Sequence, residues 1–310
     1  MAFNAEAKGV YSVAVTPFLE NGRIDFESVD SLTDFYLGKK VSGITVLGQM
    51  GEAPKLDASE SIALVKRIAA RAGKVPIVVG VSAPGFASMR SLACQAMDNG
   101  AAGVMIAPTS ALRTDRDIVN YYGQAIEAIG ADVPFAIQDY PLTTQVVFAP
   151  DVLRQIVEAH PSCVMIKHED WPGLEKITTI RKFESEGRMR KISILCGNGG
   201  LFLDLELGRS ANGAMTGYAF PEMLVRLTEL AANGALSDAH DLFDAHLPMI
   251  RVEQQLGLGL AIRKYVLKLR GAIRHDGLRK PGPQLSESAR REVTFLLARL
   301  AERDKVCGIQ

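Results

Sequence analysis

Between Gly9 and about Gly217, short apolar runs alternate with longer segments in which apolar residues recur three and four positions apart. Strand-length runs separated by helix-period segments are the pattern of βα units feeding a parallel sheet. The runs are residues 10–17, 43–48, 76–82, 103–108, 134–140, 163–169, 192–198 and 213–218, eight in all. Helical periodicity fills the intervals, for example over 26–39, 59–72, 89–99 and 117–129. Eight units of about 25 to 30 residues predict an α/β fold, a closed (β/α)8 TIM barrel. An open doubly wound sheet would place a Gly-x-Gly-x-x-Gly turn after the first strand; Phe18-Leu19-Glu20-Asn21-Gly22 has none. Past Pro221 no strand-like run returns, and 223–233, 237–255, 258–273 and 286–303 all read as helix. The expectation is a barrel core over 1–220, with 221–310 supplying the last barrel helix and a C-terminal helical extension of the same structural unit.

Composition narrows the partner. The chain of 310 residues has 35 Lys plus Arg against 35 Asp plus Glu and no block of like charge. That lacks the basic footprint of a nucleic-acid binder and favours a small-molecule partner. No apolar stretch approaches the roughly 20 residues of a membrane span, and residues 1–8 lack the apolar core of a signal peptide. The reading is a soluble, cytoplasmic protein with no membrane partner. Its four cysteines, Cys94, Cys163, Cys196 and Cys307, show no paired spacing and are expected to be reduced packing residues.

In a parallel barrel the chemistry sits at the carboxyl ends of the strands, and the sixth run ends in an unusual way. Cys163-Val164-Met165-Ile166 is apolar, then Lys167-His168-Glu169-Asp170-Trp171-Pro172-Gly173 follows. Burial there would lower the lysine pKa toward a nucleophilic amine; the plainer alternative is a packed stem with its amine in solvent. Strand alternation puts Met165 and Glu169 on the face of Lys167, and His168 toward the helices. The second run ends in Gly48-Gln49-Met50-Gly51-Glu52, whose paired glycines suit either a backbone nest for a carboxylate or a tight turn without a ligand. The fifth ends in Gln138-Asp139-Tyr140-Pro141, where alternation sets Gln138 and Tyr140 on one face and Asp139 on the other. Asp139 is either a proton carrier or a helix cap. The seventh and eighth end in Cys196-Gly197-Asn198-Gly199-Gly200 and Met215-Thr216-Gly217-Tyr218, small and polar as a pocket wall would be. His168, Glu169 and Asp170 are consecutive and cannot all face one ion, so no metal site is expected.

The Gly48 to Glu52 turn, the Asp139-Tyr140-Pro141 turn, Ile166-Lys167 and Gly213-Ala214-Met215, in that order, resemble the dihydrodipicolinate synthase / N-acetylneuraminate lyase superfamily across nearly the whole chain. The resemblance implies a class I lyase in which Lys167 forms a Schiff base with pyruvate or another 2-keto acid. It implies that the strand-two turn holds the keto-acid carboxylate and that no cofactor is needed beyond the lysine imine. The substrate site would comprise Gly48, Gln49, Met50, Gly51, Gln138, Gly197, Asn198, Met215 and Thr216, in a homotetramer or homodimer. The chain departs from the synthase pattern at Gln138-Asp139, where a tyrosine and an asparagine are expected. It departs again at Gln49 and Met50, where two threonines are expected, and at Thr109-Ser110, where a tyrosine pair is expected. The arginine expected soon after Pro141 is missing too. A closer resemblance is to the 2-keto-3-deoxy sugar-acid dehydratases, notably the 2-keto-3-deoxyarabonate type, through Gln138-Asp139, Lys167-His168-Glu169 and Gly213-Ala214-Met215-Thr216-Gly217.

The implied chemistry is attack of Lys167 on the 2-keto group, giving a protonated imine that acidifies C3. The enamine then expels a C4 hydroxyl, or the C3–C4 bond breaks. Glu169, Tyr140 and Asp139 are the candidate proton carriers, Glu169 first because it shares the face of Lys167. The alternatives are a 4-hydroxy-tetrahydrodipicolinate synthase-like enzyme, a 2-keto-3-deoxy acid aldolase, or a non-catalytic keto-acid binding module.

Overall fold

The computed structural model describes residues 3–171 and 173–307, so both ends of the predicted domain boundaries, and Pro172 of the strand-six motif, lie outside the described residues. Eight strands close in sequence order: β1 Gly9–Val13, β2 Gly43–Val46, β3 Ile77–Gly80, β4 Gly103–Ile106, β5 Phe135–Asp139, β6 Cys163–His168, β7 Ser193–Cys196 and β8 Gly213–Thr216. All neighbours are parallel, and β8 returns to β1 through Gly9 opposite Gly213. The (β/α)8 TIM barrel is therefore the fold.

Strands buried on both faces read as continuous apolar runs, and the two faces are filled separately. Tyr11, Val13, Val78, Met105, Ala136, Met165, Leu195 and Met215 fill the interior, while Val10, Ile44, Val79, Val104, Ile137 and Ile166 pack outward. Phe3 and Ala7 join the inner cluster. The Ser193 hydroxyl donates to the Ala7 carbonyl at 2.7 Å, which fixes the amino-terminal segment beneath the barrel.

The surrounding helices are α1 Phe26–Gly38, α2 Ala58–Ala72, α3 Phe86–Asp98, α4 Asp115–Ile129, the short α5 Pro141–Thr144, α6 Pro150–Ala159, α7 Leu174–Ser185 and α8 Leu203–Gly208. Three of them start on a side-chain cap: Asp25 caps α1, and Asp57 with Glu60 and Thr114 with Asp117 form reciprocal capping boxes on α2 and α4, each cap contributing roughly 1 kcal/mol. Beyond the barrel run α9 Pro221–Ala232, α10 Leu236–Glu253, α11 Gly259–Leu269 and α12 Glu287–Arg303. The far end of α12 is tied in by Asp304, which accepts from Arg226 at 2.7 Å and lies 3.0 Å from His246 Nε2. His246 Nδ1 in turn meets the Tyr218 hydroxyl at 2.9 Å, just past β8. Among the described residues no helix is long and apolar enough to cross a membrane.

The observed strands stop short of the predicted runs. The first ends at Val13 instead of 17, the seventh at Cys196 instead of 198 and the eighth at Thr216 instead of 218. Burial persists through Val15, which is what the hydrophobic pattern registers, whereas the strand ladder is carried past Val13 only by the Ala14 N–H to Thr45 O bond at 2.9 Å. Those trailing residues build the mouth.

Candidate active site

Each loop at the mouth is shaped by its own residues. After β2 the chain enters a 3-10 turn over Gln49–Gly51, closed by Gly51 N–H to Gly48 O and Glu52 N–H to Gln49 O, both at 3.0 Å. Such a turn leaves its first N–H groups, those of Gln49 and Met50, outside its own bonding. Leu47 precedes it with φ of 56°, a left-handed conformation that is costly for a branched residue and redirects the chain. Gly80 on β3 makes this possible, since a Cβ there would lie 2.4 Å from the Leu47 carbonyl oxygen.

At the end of β6 the ladder continues one residue past the strand, with Glu169 N–H donating to Asp139 O at 2.8 Å. Glu169 therefore keeps the inward face it shares with Lys167. The two are buried and form an ion pair of 3.1 Å from Lys167 Nζ to Glu169 Oε2. Gln138 Nε2 donates to that same oxygen at 2.8 Å, and Asn198 N–H donates to Oε1 at 3.3 Å. Gly197 allows this approach, because a Cβ would stand within 2.5 Å of the Glu169 carboxyl group. Tyr140 closes the β5 side. Burial, with the Glu169 carboxylate adding to it, holds its phenol above its usual pKa, so it is protonated at neutral pH.

These groups line a cleft of about 340 Å³, open solvent at its mouth included. Of the residues singled out from sequence, the structure brings together Lys167, Glu169, Tyr140, Gln138, Gln49, Met50, Asn198 and Thr216. Gly48, Gly51 and Gly197 shape the backbone beneath the lining, and Met215 belongs to the inner packing layer. Asp139 does not reach the cleft. It points out of the barrel, where Lys176 of α7 donates to it at 2.8 Å, so its side chain does not face the cleft that Lys167 lines. The structure thus corrects the inclusion of Asp139 among the proton carriers, for the reason alternation supplies. Among the described residues no group of three or more His, Cys, Asp or Glu side chains is arranged to hold a metal.

Gly199 and Gly217, within the small polar ends of the seventh and eighth runs, line the cleft as well, while sequence reasoning missed Val13, Gln254 and Arg263. Arg263 and Gln254 come from the helical tail, not from a strand end. The available signal was a charge, Arg263, set among the buried Ala261, Ile262, Val266 and Leu267 of α11.

Behind β6 and β7 lies a second polar cluster, facing the helices. His168 Nδ1 stands 3.7 Å from Asp139 Oδ2, and Lys176 bridges Asp139 to Asp170. Burial pushes the nearby Glu206 carboxyl up to about 7, against opposing pulls from His168 and a hydrogen bond with Cys196. A carboxyl raised in the folded state contributes stability that is fully present below its unfolded pKa, near 4.5, and lost as pH rises through about 7. Glu206→Gln removes that loss. In urea titrations its stability relative to wild type is expected to rise by about 2 to 3 kcal/mol between pH 5 and pH 8; a pH-independent difference would contradict the assignment.

A model of the Dihydrodipicolinate synthetase family matches residues 6–300. An L-2-keto-3-deoxyarabonate dehydratase from Azospirillum brasilense is 27% identical over 314 residues, covering 94% of each chain. A 4-hydroxy-tetrahydrodipicolinate synthase from Sorangium cellulosum is 26% identical, covering 95% of this chain and 96% of its own. A crystal structure described as dihydrodipicolinate synthase from Rhodopseudomonas palustris is 58% identical with a TM-score of 0.95, covering 96% of this chain and 99% of that one. The family match takes in all eight strands and most of the helical tail, and the chain belongs to the dihydrodipicolinate synthetase family of lyases.

Proposed function

We propose that the chain is a Schiff-base-forming dehydratase of 2-keto-3-deoxy sugar acids that needs no cofactor beyond its own lysine. The observation that carries this is the buried Lys167–Glu169 pair, 3.1 Å apart at the mouth of a parallel barrel, with Gln138 donating to the carboxylate. Support for the substrate class comes from the Azospirillum brasilense dehydratase, similar over nearly the full length.

The placement of these groups supports the following sequence of steps. The N–H groups of Gln49 and Met50 receive the substrate carboxylate, which orients C2 toward Lys167 across the barrel. Glu169 takes a proton from Nζ as the amine adds to C2 and returns it to the carbinolamine hydroxyl, which leaves as water to give the protonated imine with Glu169 again a carboxylate. That imine is the electron sink, so a carboxylate beside it can remove the C3 proton and form the enamine. The enamine electron pair then expels the C4 hydroxyl, which leaves as water with a proton from Tyr140. Loss of a C5 proton and protonation at C3 turn the conjugated imine into a C4–C5 enol that tautomerises to a carbonyl at C5. Tyr140 and Glu169 recover their protonation states by exchange with water, and hydrolysis of the imine frees Lys167 and the product.

A synthase is the second reading, favoured by the 58% identical Rhodopseudomonas palustris structure. Reduction with borohydride in the presence of pyruvate, followed by peptide mapping, is expected to place the adduct on Lys167. Turnover of a five-carbon 2-keto-3-deoxy acid ending in a primary alcohol should then release a semialdehyde, and a longer acid the corresponding 2,5-diketo acid. Pyruvate plus an aldehyde would replace the dehydratase by an aldolase, condensation of pyruvate with a semialdehyde would replace it by a synthase, and an adduct on another lysine would overturn the Schiff-base assignment.

A further inference from the structure

One cation in the cleft has no part in the steps above. Arg263 is 1% exposed and reaches the cleft from α11. Its Nε donates to Glu253 Oε2 at 2.9 Å, and its Nη2 lies 3.3 Å from Gln254 when the Gln254 amide oxygen is turned to accept from it and from Gly199 N–H. Its Nη1 has no hydrogen-bond partner among the described residues. That nitrogen lies over Gly217 at the end of β8, where a Cβ would come within 2.7 Å of it. The absence of a side chain at Gly217 therefore leaves room for the guanidinium beside the cleft. A buried N–H of a charged group left without an acceptor is expensive, and a guanidinium has only donors to offer.

Barrel topology indicates which part of a substrate meets it. β2 and β6 stand four strands apart in an eight-stranded ring and so face each other across the mouth. A 2-keto acid with its carboxylate at the β2 turn and its C2 at Lys167 lies along that diameter, and its chain from C3 onward must leave to one side. The β5 side is taken by Gln138, already bonded to Glu169, and by Tyr140. The β7–β8 side presents Asn198, Thr216, Gln254 and Arg263. We infer that Arg263 determines substrate specificity by binding a carboxylate at the end of the substrate remote from the imine, so that the preferred substrates are 2-keto-3-deoxy dicarboxylic acids. This rests on the Lys167 imine proposed above. An anionic acceptor completes the guanidinium by a charge-assisted bond, which is stronger than one to a hydroxyl.

The test compares two 2-keto-3-deoxy acids of equal carbon number, one ending in a carboxylate and the other in a primary alcohol. Wild type is expected to favour the first by at least about tenfold in kcat/KM. Arg263→Gln should lower kcat/KM for the carboxylate-ended acid by about 100-fold, chiefly through KM, while the alcohol-ended acid changes by less than about threefold. Arg263→Lys retains a cation for Glu253 if the glutamine variant folds poorly; a single point charge should still lose about tenfold on the carboxylate-ended acid. Equal losses on both acids, or a wild-type preference for the alcohol, overturn the inference. Calorimetric titration with a saturated dicarboxylate lacking the keto group reads the same contact without any imine. Binding lost in Arg263→Gln supports the inference even if borohydride trapping fails, and binding unaffected by the variant overturns it even if trapping succeeds.

Discussion

Lys167→Met is expected to lower kcat/KM on any 2-keto acid the wild type turns over by on the order of 10,000-fold or more, and to abolish the borohydride-trapped adduct. The loss is large because in the proposed mechanism the lysine supplies the electron sink itself, and among the described residues lining the cleft it is the one amine. The fold should survive. Removing the ammonium leaves Glu169 with two donors, Gln138 Nε2 at 2.8 Å and Asn198 N–H at 3.3 Å, so its carboxylate is not stranded without partners. Circular dichroism and a cooperative melt check that point alongside the rates. Glu169→Gln tests the second member of the pair: trapping at Lys167 is slowed but still reached on long incubation, since solvent can take the Nζ proton, while turnover falls by about 100- to 1,000-fold as the C3 proton loses its acceptor. A Lys167→Met protein that keeps more than a hundredth of wild-type turnover would sink the covalent mechanism.

How far the sequence led is explained by the range of the interactions involved. Barrel strands are buried on both faces, so each announces itself within a few residues, and alternation carried correctly beyond the end of β6. It set Lys167 and Glu169 together and turned His168 and Asp139 outward, as the Glu169 N–H to Asp139 O bond continues the ladder. The end of β1 was read too long because burial continues at Val15 and beyond, past the Ala14 N–H to Thr45 O bond at 2.9 Å. The turn after β2 could be recognised from its bracketing glycines, but not the left-handed Leu47 that aims it. Arg263 was out of reach for a different reason. Its role depends on α11 folding back over the mouth, and the contacts that bring it there join residues far apart in the chain, none with a local periodicity to betray it. A charge within an apolar helical face was visible, but its destination was not.

One of those distant contacts is open to direct measurement. Glu52→Ala is expected to destabilise the protein by about 3 kcal/mol, the lower part of the range for breaking a buried ion pair. Glu52 follows the Gln49–Gly51 turn and is buried. It accepts from Lys264 Nζ of α11 at 2.6 Å, from Lys55 Nζ at 2.7 Å and from Arg279 N–H at 3.1 Å. Its removal leaves Lys264, which is fully buried, with only the Gly277 carbonyl at 3.0 Å and the face of Phe18. Burial already holds the Lys264 amine below its usual pKa, with Glu52 opposing that pull. Without Glu52 the amine falls further and can shed its proton, which keeps the loss toward the low end. The sign follows: a lysine depressed in the folded state costs most where it must stay charged, and the cost recedes as pH rises through its folded pKa. The deficit in urea titrations should therefore be larger at pH 6 than at pH 9. Adding Lys264→Met to Glu52→Ala should recover much of the loss, since an apolar pair carries no desolvation penalty for charge. A double variant no more stable than Glu52→Ala would mean that the energy lies in the Lys55 and Arg279 contacts instead. Activity separates the two as well: the double variant restores stability without restoring the anchor of the β2 turn, so its KM for 2-keto acids should stay raised.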